Sequence, residues 1–74
     1  MARRELVEEQ KRKILDALRE AASRPGDLSL KEIAQITGMS RITAAKYIRE
    51  LIGEGRIEVS REIGNVVLYR IKKR

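Results

Sequence analysis

Apolar positions along the chain fall first at helical spacing and then at strand spacing. Ile14, Leu15, Leu18, Ala21 and Ala22 recur at i, i+1, i+4, i+7 and i+8, which is one buried face of a helix predicted over residues 3–23. Val7 lies a heptad before Ile14 and extends the stripe. Glu5, Glu8 and Glu9 stand near the helix start, where carboxylates suit the macrodipole, and Glu8–Arg12 and Glu9–Lys13 are i,i+4 pairs in the favoured order. The run Arg24-Pro25-Gly26-Asp27 breaks this helix, because proline disfavours helix at the residue before it. Leu28 and Ser29 then leave the turn as a very short extended segment.

A second helix is expected over 30–37, with Leu30, Ile33, Ala34 and Thr37 inward. Ser29 with Glu32 three residues on has the form of a capping box, in which each side chain satisfies a backbone N–H at the other's position. Gly38 ends the helix in a left-handed conformation, and Met39 fills the corner beneath the turn. Ser40 caps a third helix over 41–54. Ala44, Ile48 and Leu51 mark its inner face with Tyr47 at the edge, while Ile42, Lys46, Arg49 and Gly53 mark the opposite face. Gly55 supplies the stop.

Past Gly55 the period becomes two. Ile57, Val59, Arg61 and Ile63 alternate with Glu58, Ser60 and Glu62, and Val67, Tyr69 and Ile71 alternate with Val66, Leu68 and Arg70. Two such runs either side of Gly64-Asn65 read as a β-hairpin over 57–71. The fold class is therefore α+β: three helices followed by a hairpin, in one domain over 1–74.

Composition narrows the chemistry. Cysteine and histidine are both absent, which removes disulfides, thiolate metal sites, the commonest zinc ligand and the commonest general base. A Ser or Thr nucleophile would lack its usual base, no phosphate-cradling glycine loop is present, and the abundant carboxylates, Glu54, Glu58 and Glu62 among them, read as surface positions. Neither an enzyme nor a cofactor is expected. The formal charge of +6 points to a polyanion, because cationic side chains displace counterions condensed on a phosphate backbone; simple solubility is the bland alternative. No apolar run approaches bilayer length and MARREL lacks an apolar signal region, so a membrane is not the expected partner and the cytoplasm, on the nucleoid, is the expected location. The dominance of Glu, Arg and Lys over two Gln and one Asn is a bias of proteins from hot environments.

The middle of the chain carries the most specific pattern. Two helices joined by a tight turn need a small residue where they cross, a glycine in the turn and an apolar plug. Ala34, Gly38 four residues on, and Met39 meet those needs, and Ser40-Arg41-Ile42-Thr43 opens the next helix. Over about Ile33 to Leu51 the residues resemble the helix-turn-helix family. With the hairpin added, the whole chain looks like a winged helix-turn-helix domain, similar to bacterial and archaeal transcription regulators of the MarR and ArsR type. It departs from them in having no metal-ligand set of the sort metal sensors carry and no long C-terminal dimerisation helix.

The resemblance implies binding to double-stranded DNA, with the third helix in the major groove and the hairpin as a wing on the flanking backbone or minor groove. The residues agree independently. Arg41 at the helix start suits guanine O6 and N7, Thr43 a base edge or phosphate, and the β-branched Ile42 a thymine methyl. Lys46 and Arg49 suit phosphates, and Ser40 with neighbouring N–H groups suits another at the helix N-terminus. Arg61 in the wing either enters the minor groove or touches its phosphates, or is an edge-strand charge that opposes aggregation. Arg70, Lys72, Lys73 and Arg74, with Arg3 and Arg4, add general attraction if they lie on the same side. Leu6 and Val7 reach beyond the rest of so small a body, so they either fray or meet a second copy in a homodimer through the first helix. Three functions stay open: a small transcription regulator, a non-specific architectural or chromatin DNA-binding protein, and a winged-helix protein-interaction module. RNA is disfavoured, since two tyrosines are the only aromatics and make no stacking platform.

Overall fold

Cap chemistry sets the helix boundaries. The structure is a computed structural model that describes residues 3–22 and 27–72, the side chain of Arg3 excepted. The expected breaker at Arg24-Pro25-Gly26 and the basic residues Lys73 and Arg74 lie outside the described residues. Helix α1 spans Arg3–Ala22, α2 Leu30–Thr37 and α3 Arg41–Gly53. At the start of α2 the Glu32 N–H donates to Ser29 Oγ at 3.3 Å and the Ser29 N–H donates to Glu32 Oε1 at 3.1 Å, so the capping box is complete. At its end Gly38 takes φ 76°, and the N–H groups of Gly38 and Met39 both donate to the Ala34 carbonyl. Helix α3 ends in a Schellman turn: Gly55, at φ 75°, donates to the Ile52 carbonyl and Arg56 to the Leu51 carbonyl.

The strands β1 (Leu28–Ser29), β2 (Ile57–Ile63) and β3 (Val66–Ile71) form one antiparallel sheet in the order β1-β3-β2. Gly64-Asn65 makes the two-residue hairpin turn, with positive φ at Gly64 alone, the pattern of a type II′ turn. The core is drawn from every element but β3: Ile14, Leu15, Ala17 and Leu18 from α1, Leu28 from β1, Ile33 and Ala34 from α2, Ala44, Ile48 and Leu51 from α3, and Ile57 from β2. Met39, Leu30, Tyr47, Tyr69 and Ile71 pack against it from the side. Ala34 on α2 and Ala44 on α3 are both buried, and residues this small allow packed helices to approach closely.

Three sequence-based expectations are corrected. Ala22 is exposed, and Ala17 takes a core place instead, because the α1 stripe is set one turn earlier. That stripe also includes Lys11, which is 5% exposed. The i,i+4 pairs Glu8–Arg12 and Glu9–Lys13 do not form; Glu8 lies 3.8 Å from Arg56 instead, since exposed helical pairs gain too little to resist a competing partner. Finally, alternation in β2 does not run unbroken. Val59 pairs with Tyr69 and Arg61 with Leu68, so Ser60 is the extra residue of a β-bulge. Before the bulge, Ile57 and Val59 share the inner face with Ile71 and Tyr69. After it, Arg61 and Ile63 share the outer face with Leu68 and Val66, while Glu62 moves to the inner face beside Val67. The Ser60 hydroxyl donates to the Asp27 carboxylate just before β1, which ties the bulge to the far edge of the sheet.

Candidate nucleic-acid interface

Helix α3 presents three chemically distinct surfaces besides its core face. Ile42, Lys46, Arg49 and Gly53 form the outermost stripe and all are exposed, Ile42 most of all at 85%. An isoleucine so placed contributes nothing to the core and offers an apolar contact to whatever meets this face. Lys46 Nζ lies 5.8 Å from the centre of the Tyr47 ring, which holds the ammonium over an aromatic face without neutralising it.

The flank of α3 toward the wing carries Arg41. It lines a groove of about 380 Å³ together with Lys31 at the start of α2 and Asn65, Val66, Val67 and Tyr69 of the hairpin. The sheet register brings this about, because β1 runs directly into α2 and pairs with β3, so the N-terminus of α2 lies beside the hairpin. Lys31 is a cation that sequence reasoning passed over. Its signal was its position in the first turn after the capping serine, but that segment reads as scaffold until the hairpin is seen beside it.

The opposite flank carries Glu50 and Glu54, and here α1 supplies the compensation. Lys11 Nζ donates to Glu54 Oε2 at 2.6 Å and stands 3.3 Å from Glu50 Oε1. The hydrogen bond to Glu54 holds the Lys11 pKa above its ordinary value against the opposing effect of burial, and the same bond holds the Glu54 carboxyl below its own. Arg56 lies 3.5 Å from Glu54 and adds to the cluster. Among the described residues, then, the acids of α3 are paired, whereas Lys31, Arg41, Lys46, Arg49 and Arg61 have no carboxylate within ion-pairing distance.

The structure brings Ile42, Lys46 and Arg49 onto the outermost stripe of α3, with Arg41 beside it on the flank toward the wing. Ser40 and Thr43 stand at its N-terminal edge with their side chains already engaged. Ser40 Oγ accepts from the Thr43 N–H at 3.1 Å and donates to Thr43 Oγ1 at 3.0 Å. Their first task is the helix cap, which leaves the N–H groups of Arg41 and Ile42 without an intrahelical acceptor. Arg61 is set apart: the bulge places it on the outer face of the hairpin, away from the groove that holds Arg41. Arg70 shares that outer face but is paired to Glu58, Nε to Oε2 at 2.8 Å. Among the described residues no group of three or more acidic side chains is placed to hold a metal ion, and no helix is long and apolar enough to cross a membrane.

Residues 7–58 match a family model described as winged helix-turn-helix DNA-binding. The matched region is more than half of the chain and runs from Val7 in α1 to Glu58, the second residue of β2. No curated protein and no solved structure matches the chain.

Proposed function

The chain belongs to the winged helix-turn-helix DNA-binding family, and from that premise we propose that it reads double-stranded DNA with α3 in the major groove, as a small transcription regulator of the general MarR or ArsR kind. The observation that carries the reading is the outer surface of α3, where Arg41, Lys46 and Arg49 lack carboxylate partners among the described residues and flank an isoleucine that is 85% exposed. Arg41 and Ile42 contact base edges, a guanine and a thymine methyl respectively, while Lys46 and Arg49 hold phosphates. Ser40 and Thr43 orient the first turn of α3 and offer its free N–H groups to another phosphate. Lys31 grips the strand that runs between α2 and the wing, and Arg61 reaches the flanking backbone from the outer face of the hairpin. Ile42 favours sequence reading over purely architectural binding, since a helix that held only phosphates would gain nothing from it. Leu6, 47% exposed near the free end of α1, extends the proposal to a homodimer through that helix on an inverted repeat.

Fluorescence anisotropy of a labelled duplex, titrated across salt, tests the reading. Four to five phosphate contacts would give a slope of log K on log salt of about −4. Arg41→Ala with Lys46→Ala lowers affinity at least ten-fold and flattens the slope by roughly one to two. Duplex binding that ignores salt, or a double variant that binds as the parent does, overturns the proposal. Selection from random sequence separates the readings further: a sharp motif supports base readout, an inverted repeat supports the dimer, and an unselective pool supports architectural binding.

A further inference from the structure

Among the described residues Lys11 is the buried charged side chain, and nothing in the contact surface of α3 uses it directly. It stands on the inward stripe of α1, three residues before Ile14 and four before Leu15. An apolar residue of similar length would fill that place without the cost of desolvating an ammonium, so packing does not account for a lysine here. What a lysine does there, and methionine would not, is cancel charge on two carboxylates that ride on α3 itself. Glu50 and Glu54 are 40% exposed at their side chains, so without a partner both are free to project their charge into solvent. A helix is about 10–12 Å across, little more than a Debye length at physiological salt, so charge on this flank is felt by a polyanion at the outer face.

We propose that Lys11 is a positioning residue for DNA binding: it draws Glu50 and Glu54 against α1 and offsets part of their charge, so that the field α3 offers a duplex is more positive than its own residues would make it. Arg56 completes the arrangement by spanning Glu8 and Glu54, at 3.8 Å and 3.5 Å. The inference rests on the DNA-binding reading of α3 and adds a residue on another helix, out of reach of the nucleic acid, that sets its strength.

The test uses the same labelled duplex with the full chain at neutral pH and low salt, and circular dichroism to confirm folding. Lys11→Met is expected to weaken binding by roughly three- to ten-fold, a gap that narrows as salt rises. Lys13→Met removes the same formal charge from an exposed site on α1 and is expected to change affinity less than about two-fold. Adding Glu50→Gln and Glu54→Gln to Lys11→Met is expected to restore affinity to at least that of the parent chain. The inference is overturned if folded Lys11→Met binds as the parent does, if Lys13→Met loses as much, or if the triple variant fails to recover, which would assign Lys11 to stability alone. Should Lys11→Met fail to fold, Glu50→Gln with Glu54→Gln in the parent chain reads the same field from the other side. Tighter binding is then expected, and unchanged or weaker binding counts against the inference. Failure of the parent chain to bind duplex at any salt is a different result and defeats the DNA reading itself.

Discussion

Two glycines in the helical half have opposite reasons to be glycine, and substitution separates them. Gly38 sits at φ 76° with open space where a Cβ would stand, so alanine there meets no clash but still adopts a left-handed backbone. The cost is roughly 1 kcal/mol, which lowers the melting temperature by about 4–8 °C for a chain of this size. Gly53 is the last residue of α3, has ordinary φ, and also faces open space. Gly53→Ala therefore stabilises by about 0.5 kcal/mol, mainly by restricting the unfolded chain. Thermal denaturation of the two variants checks both signs, and equal losses would contradict the distinction. Gly53 also lies on the outer stripe with Lys46 and Arg49, so a stabler Gly53→Ala that bound DNA less well would mean that a backbone comes close at that point.

Among the elements, the hairpin departs most from its sequence pattern. Its alternation is regular by eye, yet the extra residue at Ser60 turns the distal half over and reverses the faces of Arg61, Glu62 and Ile63. The anchor is the bond from the Ser60 hydroxyl to Asp27, a residue 33 positions away in the chain. Asp27→Ala and Ser60→Ala should each cost about 1 kcal/mol, with a double variant little worse than either, because both remove one interaction. Amide exchange is expected to quicken from Ser60 toward the turn while Ile57 stays protected. Uniform loss of protection along β2 would instead place the anchor in the global fold. The helices show the complementary case. Their caps, Ser29 with Glu32, Gly38, and Ser40, are local chemistry within a few residues of one another, and the boundaries they imply match the structure to within a residue.

For the whole molecule, the cluster that joins α1 to α3 makes stability depend on pH in a way with a definite sign. Glu54 titrates below its ordinary 4.5 in the folded chain because Lys11 hydrogen-bonds its charged form. Its contribution is therefore full above pH 4.5 and is lost as pH falls through the lower folded value. Lys11 titrates above its ordinary 10.5, so its contribution is full below pH 10.5 and is lost as pH rises through the higher folded value. Melting temperature is expected to be level between these limits, as far as this pair is concerned, and to fall outside them. Glu54→Gln should shallow the acid limb measurably, and an acid limb unchanged by that substitution would show that other carboxylates dominate it.

The order of elements, the caps, the small-residue crossing and the cationic stripe of α3 were legible from sequence because each depends on residues close in the chain or on a simple period. Ala34, Gly38 and Met39 imply the turn by size and backbone freedom alone, and Ile42, Lys46 and Arg49 share a face wherever that helix is placed. Tertiary structure alone decided the rest. Whether Lys11 is a surface cation or a buried one depends on α3 lying against α1 with Glu50 and Glu54 on the near flank. Lys31 joins Arg41 only because β1 pairs with β3 and carries the start of α2 to the hairpin. Arg61 turns outward because one residue slips in the register, which no local pattern encodes. Periodicity reports which face of an element a residue occupies; only packing settles what that face meets and which charges remain free to attract DNA.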